Sequence, residues 1–157
     1  MTDGSDETLP EEEAALHPRL WMVDEFDGEI DGQLKFHKSL VQFRNNTDME
    51  KDDWPFIRAY RGPMDQGFSS ILESYDDLEL VYREKDGEIH IYRETDKGNR
   101  FVRGLKNGLR ILKKDQTEER ETQLELVAKA NKDRIGSEIE QDDDIQELKD
   151  APIGTEV

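Results

Sequence analysis

The chain of 157 residues has no cysteine. Disulfides, a thiol nucleophile and cysteine-based zinc sites are therefore excluded. It has no run of about 18 apolar residues, the length a membrane-spanning helix needs. Its first residues are acidic and lack the apolar stretch of a secretory signal. These absences lead us to expect a soluble, cytoplasmic protein that does not enter a membrane. Bases are scarce: 22 lysines and arginines face 39 aspartates and glutamates, for a net charge of −17. Such a balance drifts toward the composition of disorder.

The charge is unevenly placed. Residues 1–15 carry six acids and no base, and residues 115–157 carry 14 acids and five bases, so 16–114 is left with only −2. All 12 aromatic residues lie between Trp21 and Phe101. The aromatics can build a core there, and 99 residues suffice for one small domain. We read 1–15 as a disordered acidic tail, 16–114 as the domain, 115–135 as a C-terminal helix and 136–157 as a second disordered acidic tail, with the Asp142-Asp143-Asp144 run as its mark.

Hydrophobic spacing orders the elements. Residues 18–26 have Pro18 at a first-turn position and Leu20, Trp21, Val23 and Phe26 as an apolar set, which predicts a short helix ended by Asp27-Gly28. Ile30 falls in a connecting turn, with Asp31 as the candidate cap of the next helix. Residues 33–45 have a wide apolar arc and predict a helix central to the core. After a polar loop comes the short β-leaning run 56–60, and Gly62-Pro63 then opens a helix over 64–76 through Met64, Phe68, Ile71, Leu72 and Tyr75. Runs 78–83 and 88–93, separated by a segment containing Asp86-Gly87, predict a β-hairpin. Residues 96–114 place Phe101, Val102, Leu105, Leu109 and Leu112 within an arc of about 100°. Gly98, Gly104 and Gly108 each weaken that helix by about 1 kcal/mol. Residues 117–135 continue as a polar helix with a narrow seam of Leu124, Val127 and Ala128, suited to pairing with a second copy. The expected fold is α+β, mainly α: a winged helix-turn-helix with a two-stranded wing and an extra C-terminal helix.

Particular residues add a family resemblance. Phe36-His37-Lys38, within the stretch from Gly32 to Phe43, resembles the second helix of YwgA-like winged-helix proteins and of the related SocA/Panacea antitoxin domain. Tyr60-Arg61-Gly62-Pro63 resembles the Tyr-Gly-Pro segment that opens their third helix, with Arg61 inserted. Thr95-Asp96-Lys97-Gly98 is similar to the start of their helix after the wing. The likeness covers about residues 18–112. It implies a winged-helix fold and a regulatory or antitoxin-like role without catalysis, and it assigns no ligand residues. The acid excess also resembles haloarchaeal protein surfaces, so adaptation to high salt is expected.

The chemistry points away from an enzyme. His17, His37 and His90 have no metal-ligand spacing, and neither a nucleophile elbow nor a phosphate-cradling glycine loop is present. No cofactor or metal is expected, and His37, on a mostly apolar helix, is read as a satisfied, semi-buried histidine. The expected activity is DNA-binding transcriptional regulation as a homodimer. Gln66, Ser69 and Ser70 would meet base edges. Lys35, Lys38, Arg58, Arg61, Arg83, Lys85, Arg93, Lys97, Arg100, Arg103, Lys106 and Arg110 would meet phosphates, where counterion release supplies most of the affinity. One feature opposes this: helix 64–76 contains no lysine or arginine. The alternative is a non-enzymatic protein-interaction module, antitoxin-like or an accessory subunit.

Overall fold

Pro18, with its φ already helical and no amide hydrogen to lose, starts the helix α1 (Pro18–Glu25). Asp27 and Gly28, both at positive φ (61° and 89°), turn the chain out of it. The computed structural model describes residues 16–112 and 114–157, so the expectation for 1–15 lies outside the described residues. The architecture is α+β and mainly helical.

Ile30 is not in a turn. It is the buried centre of β1 (Glu29–Asp31), which pairs antiparallel with the later strand 89–94, Ile30 opposite Tyr92. Asp31 does not cap α2 (Gln33–Asn45); Gly32 holds the N-cap position at φ 123°, and the Asp31 carboxylate instead accepts from Lys35 Nζ at 3.0 Å. The wide apolar arc of α2 does make it central, and every residue from Lys35 to Arg44 is buried.

The Gly62-Pro63 step differs from the helix start it suggests. β2 (Phe56–Ala59) and β3 (Gly62–Asp65) form an antiparallel hairpin, with Ala59 opposite Gly62 and Phe56 opposite Asp65. Pro63 has no amide hydrogen to give and sits on the outer strand of this sheet, where none is needed. The following helix, α3, begins four residues later than expected and spans Phe68–Asp77. Its Phe68, Leu72 and Tyr75 are buried, and Phe68 packs edge-on against Phe36 and Tyr92 at 4.9 and 5.5 Å.

β4 (Val81–Asp86) and β5 (Ile89–Glu94) make the expected hairpin, turning through Gly87 at φ 64°. Their sheet has three strands, ordered β1-β5-β4, because Ile30 brings β1 to the free edge of β5. In α4 (Asp96–Leu112), Gly98 lies against β4's approach: an added Cβ there would run into the Leu80 carbonyl oxygen. Thr95 Oγ1 accepts from the Gly98 amide at 2.9 Å and finishes the helix start.

The seam of α5 (Lys114–Asn131) is used within the chain. Leu124, Val127 and Ala128 are buried against α1, α2 and α4, which corrects their expected role in pairing two copies. The segment 136–157, expected to be disordered, is folded. It contains α6 (Gly136–Ile139) and α7 (Asp143–Leu148), and buries Ile139, Ile145 and Val157. Its last residues run beside β2: Gly154 N donates to Arg58 O, Arg58 N to Thr155 O and Val157 N to Phe56 O, each at 2.8 Å. Among the described residues no helix is long and apolar enough to cross a membrane.

Candidate interaction faces

A buried polar knot ties the helices to the first hairpin. The Asp65 carboxylate accepts from Arg19 Nε (2.5 Å) and Nη2 (2.8 Å), from Trp54 Nε1 (3.0 Å) and from the Gly67 amide (3.1 Å). The Asp65 amide donates to His37 Nδ1 at 3.1 Å. Burial pushes the His37 imidazole down to about 4, against the pull of Asp65 and with a further push from Arg19. The ring is therefore neutral near pH 7. With Nδ1 accepting, its proton sits on Nε2, 3.4 Å from the Gln33 side-chain amide, which can accept it only through its oxygen. His37 is thus a structural group, and the knot aims β3 and the start of α3.

The structure scatters the expected DNA contacts. Gln66 lies in the turn before α3, while Ser69 and Ser70 are exposed on the helix itself. Beside them the outward face of α3 carries Glu73, Asp76 and Asp77 and no cation. Ser69, Glu73, Asp76, Tyr82 and Arg83 share a cleft of about 340 Å³ between α3 and the β4–β5 hairpin. Arg83 and Lys85 are exposed on β4. Arg93 is engaged across the sheet by Glu29 and Glu84.

Three expected phosphate ligands are turned inward. Lys35 Nζ donates to Lys132 O at 2.8 Å, and Lys38 Nζ to Gly136 O at 2.8 Å and Glu140 at 3.3 Å; both side chains are buried. Arg58, half-buried, reaches Lys149 O at 3.4 Å and its neighbours' carbonyls. The C-terminal segment 136–157, read from its acid run as a solvated tail, supplies three of these acceptors, Gly136 O, Glu140 and Lys149 O. Two more cations on α4 are neutralised: Lys106 Nζ lies 3.0 Å from Glu25, 3.4 Å from Asp24 and 3.7 Å from Glu121, and Arg110 bonds Glu121 at 2.8 Å. Lys97, Arg100 and Arg103 remain exposed along α4. Among the described residues Glu25, Glu121 and Glu125 gather carboxylate oxygens within 4.8 Å of one another, but Lys106 and Arg110 already supply positive charge there.

Glu94, at the end of β5, is the most displaced carboxyl. Burial, and then the neighbouring Asp24 carboxylate, push it up to about 8. Its Oε2 is buried and has no hydrogen-bond partner, while Asn99 Nδ2 donates to Asp24 (3.0 Å) and to Glu94 Oε1 (3.3 Å). In the unfolded chain a glutamate titrates near ~4.3. Folding therefore takes up a proton, and this contribution is whole below the ordinary carboxylate range and lost as pH rises through about 8. The melting temperature should fall by a few degrees between pH 7 and pH 9. Glu94→Gln should flatten that fall in a thermal scan series, and an equal slope in both proteins would refute the assignment.

A second cleft, of about 520 Å³, opens where the N-terminus of α2, the β2–β3 turn, the tip of the β4–β5 hairpin and residues 135–137 meet. Its lining is mainly apolar. Met64 (42 % exposed), Ile89 (52 %) and Ile135 (60 %) line it, with Pro63 in its wall and Tyr60 (81 %) exposed on the turn. Arg61 and His90 supply its polar groups, with Asp31 and Glu88. The sequence pattern does not single out this cleft, because it assigns Met64 to a helix and Ile135 to the edge of a tail. The available signal is negative: in strand β3 alternation makes Met64 the residue that points away from buried Pro63 and Asp65. No known protein family, curated protein or solved structure matches this chain.

Proposed function

We propose that the chain is a winged-helix protein-interaction module, antitoxin-like or an accessory subunit, that holds a protein partner at the apolar cleft. The order α1-β1-α2-α3-β4-β5 and the sheet order β1-β5-β4 support a winged helix in which β2–β3 is inserted between α2 and α3. The resemblance at Phe36-His37-Lys38 agrees with this. At Tyr60-Arg61-Gly62-Pro63 the chain departs from the family pattern, since those residues turn a hairpin. That departure creates the cleft wall.

The observation that carries the reading is the set of exposed apolar side chains lining one cleft, Met64, Ile89 and Ile135, with Tyr60 exposed on the adjoining β2–β3 turn. Exposed apolar side chains gathered at one cleft mark an interaction site rather than a solvated face. α3, the helix that would enter a DNA groove, presents carboxylates instead, which would meet phosphates unfavourably. DNA binding is the second reading, and the exposed row Lys97, Arg100 and Arg103 favours it.

Affinity purification of the tagged chain from its own cells separates the two. A stoichiometric protein partner should co-purify with the intact chain and be lost with Met64→Asp or Ile89→Asp. A protein that instead retains duplex DNA, and releases it on Arg100→Glu with Arg103→Glu, would overturn the first reading in favour of the second.

A further inference from the structure

The exposed side of α4 is a different face from the cleft, and the fold gives no account of it. Ile111 (83 % exposed) and Leu112 (80 %) stand side by side in water near the end of the helix, and Phe101 (40 %) is partly open near its start. At 100° per residue, Phe101, Gly104, Gly108, Ile111 and Leu112 fall within an arc of about 100°. Val102 points the other way, into the core, with Leu105 and Leu109 half-buried beside it. No described residue lies within 4 Å of where a Cβ on Gly104 or Gly108 would be, so neither glycine serves a close approach within the monomer.

We propose that this face binds the α4 face of a second copy, antiparallel, about a two-fold axis that passes between Gly104 and Gly108, on the side of the helix away from the Lys106 side chain. The pattern is self-complementary about position 106. Phe101 and Ile111 lie five positions to either side, and Gly104 and Gly108 two positions to either side. An antiparallel pair thus stacks Phe101 of each copy on Ile111 of the other and lets the backbones approach at the glycines. A contact in which the same patch serves both partners is the usual form of a closed dimer. Charge agrees with the direction. Exposed Asp96, Lys97 and Arg100 give the start of α4 a net +1, while exposed Lys114, Asp115, Glu118 and Glu119 give the chain after its end a net −2, so antiparallel pairing puts opposite signs together twice. Parallel pairing would stack like on like.

A helix of 17 residues is about 25 Å long, so this face buries less than the roughly 800 Å² per partner of a standard interface. The dimer is therefore weak and dependent on concentration. Two copies of net charge −17 also repel each other at long range. Salt removes that repulsion, since the Debye length falls from about 10 Å at 0.1 M to about 3 Å at 1 M, while apolar contact survives.

Sedimentation equilibrium of the full chain should show a monomer–dimer equilibrium that tightens between 0.2 M and 2 M KCl. Ile111→Glu and Leu112→Glu should each weaken it at least tenfold, whereas Leu126→Glu, exposed on α5, should not. Because the chain lacks cysteine, direction can be read by cross-linking. An equimolar mixture of Gly104→Cys and Gly108→Cys chains should form the mixed disulfide faster than either forms its own. Like-with-like cross-linking would overturn the antiparallel arrangement. A monomer at both salts, or one that dimerises only after residues 1–15 are removed, would overturn the proposal.

Discussion

Asp65→Asn should lower the free energy of unfolding by about 3–5 kcal/mol, the cost of breaking a buried ion pair by removing one partner. Domains of this size have only about 5–15 kcal/mol in total, so the loss is a large fraction of the whole. The reason is geometric. The two Asp65 oxygens accept four hydrogen bonds from Arg19, Trp54 and Gly67, and an asparagine offers one acceptor oxygen and one donating NH₂ group in their place. A donor then faces donors, and the Arg19 guanidinium, also buried, keeps its charge without a counter-charge. Urea titration should show a lower midpoint with an unchanged slope. Adding Arg19→Met should recover part of the loss, because removing both charges relieves the unpaired one. A midpoint within the equivalent of about 1 kcal/mol of the parent would sink this account of the knot.

Deleting residues 136–157 should abolish cooperative unfolding. Ile139 and Ile145 are fully buried and Val157 nearly so, and Ile139→Ala or Ile145→Ala alone should cost about 2–5 kcal/mol. The deletion also strips acceptors from cations that cannot leave the core. Lys38 loses the Gly136 carbonyl and Glu140, and Arg44, whose Nη2 donates to Val157 O at 2.7 Å, keeps only the Trp54 carbonyl and Asn45. Circular dichroism during thermal melting is the check. A sharp transition retained near the parent temperature would mean that the segment is an accessory rather than part of the fold.

Much of the fold is legible in the sequence, and the departures have physical causes. Pro18, the wide arc of 33–45 and the Gly87 turn each act within a few residues, so local pattern finds them. The spacing of Met64, Phe68, Ile71, Leu72 and Tyr75 is helical, yet Met64 belongs to a strand. One apolar residue four positions before a helix is indistinguishable from the helix's own first turn, and only the pairing of Arg58 with Pro63 breaks the tie. Ile30 is a strand because Tyr92, 62 residues later, lies opposite it. The C-terminal segment is the hardest to see. Two isoleucines among carboxylates read as solvated chain, and their burial depends on Lys38, Gln42 and Arg44, about 100 residues earlier, needing acceptors. Composition records that acids are present but not which cations they answer. The candidate cleft is invisible for the same reason, since Tyr60, Ile89 and Ile135 come from three distant segments.

The burial of those cations alters what a partner meets from a distance. Among the described residues Arg19, Lys35, Lys38, Arg44 and Arg120 are buried beside one buried acid, Asp65, a formal +4 that leaves −21 of the −17 to the rest of the chain, and Asp31, Glu140 and Asp48 answer Lys35, Lys38 and Arg120 from less buried positions. Folding sorts charge by sign as well as by polarity, leaving a cationic keel inside a carboxylate shell. The long-range field is set by that shell, so an approaching molecule is screened by sign before shape or apolar contact can act.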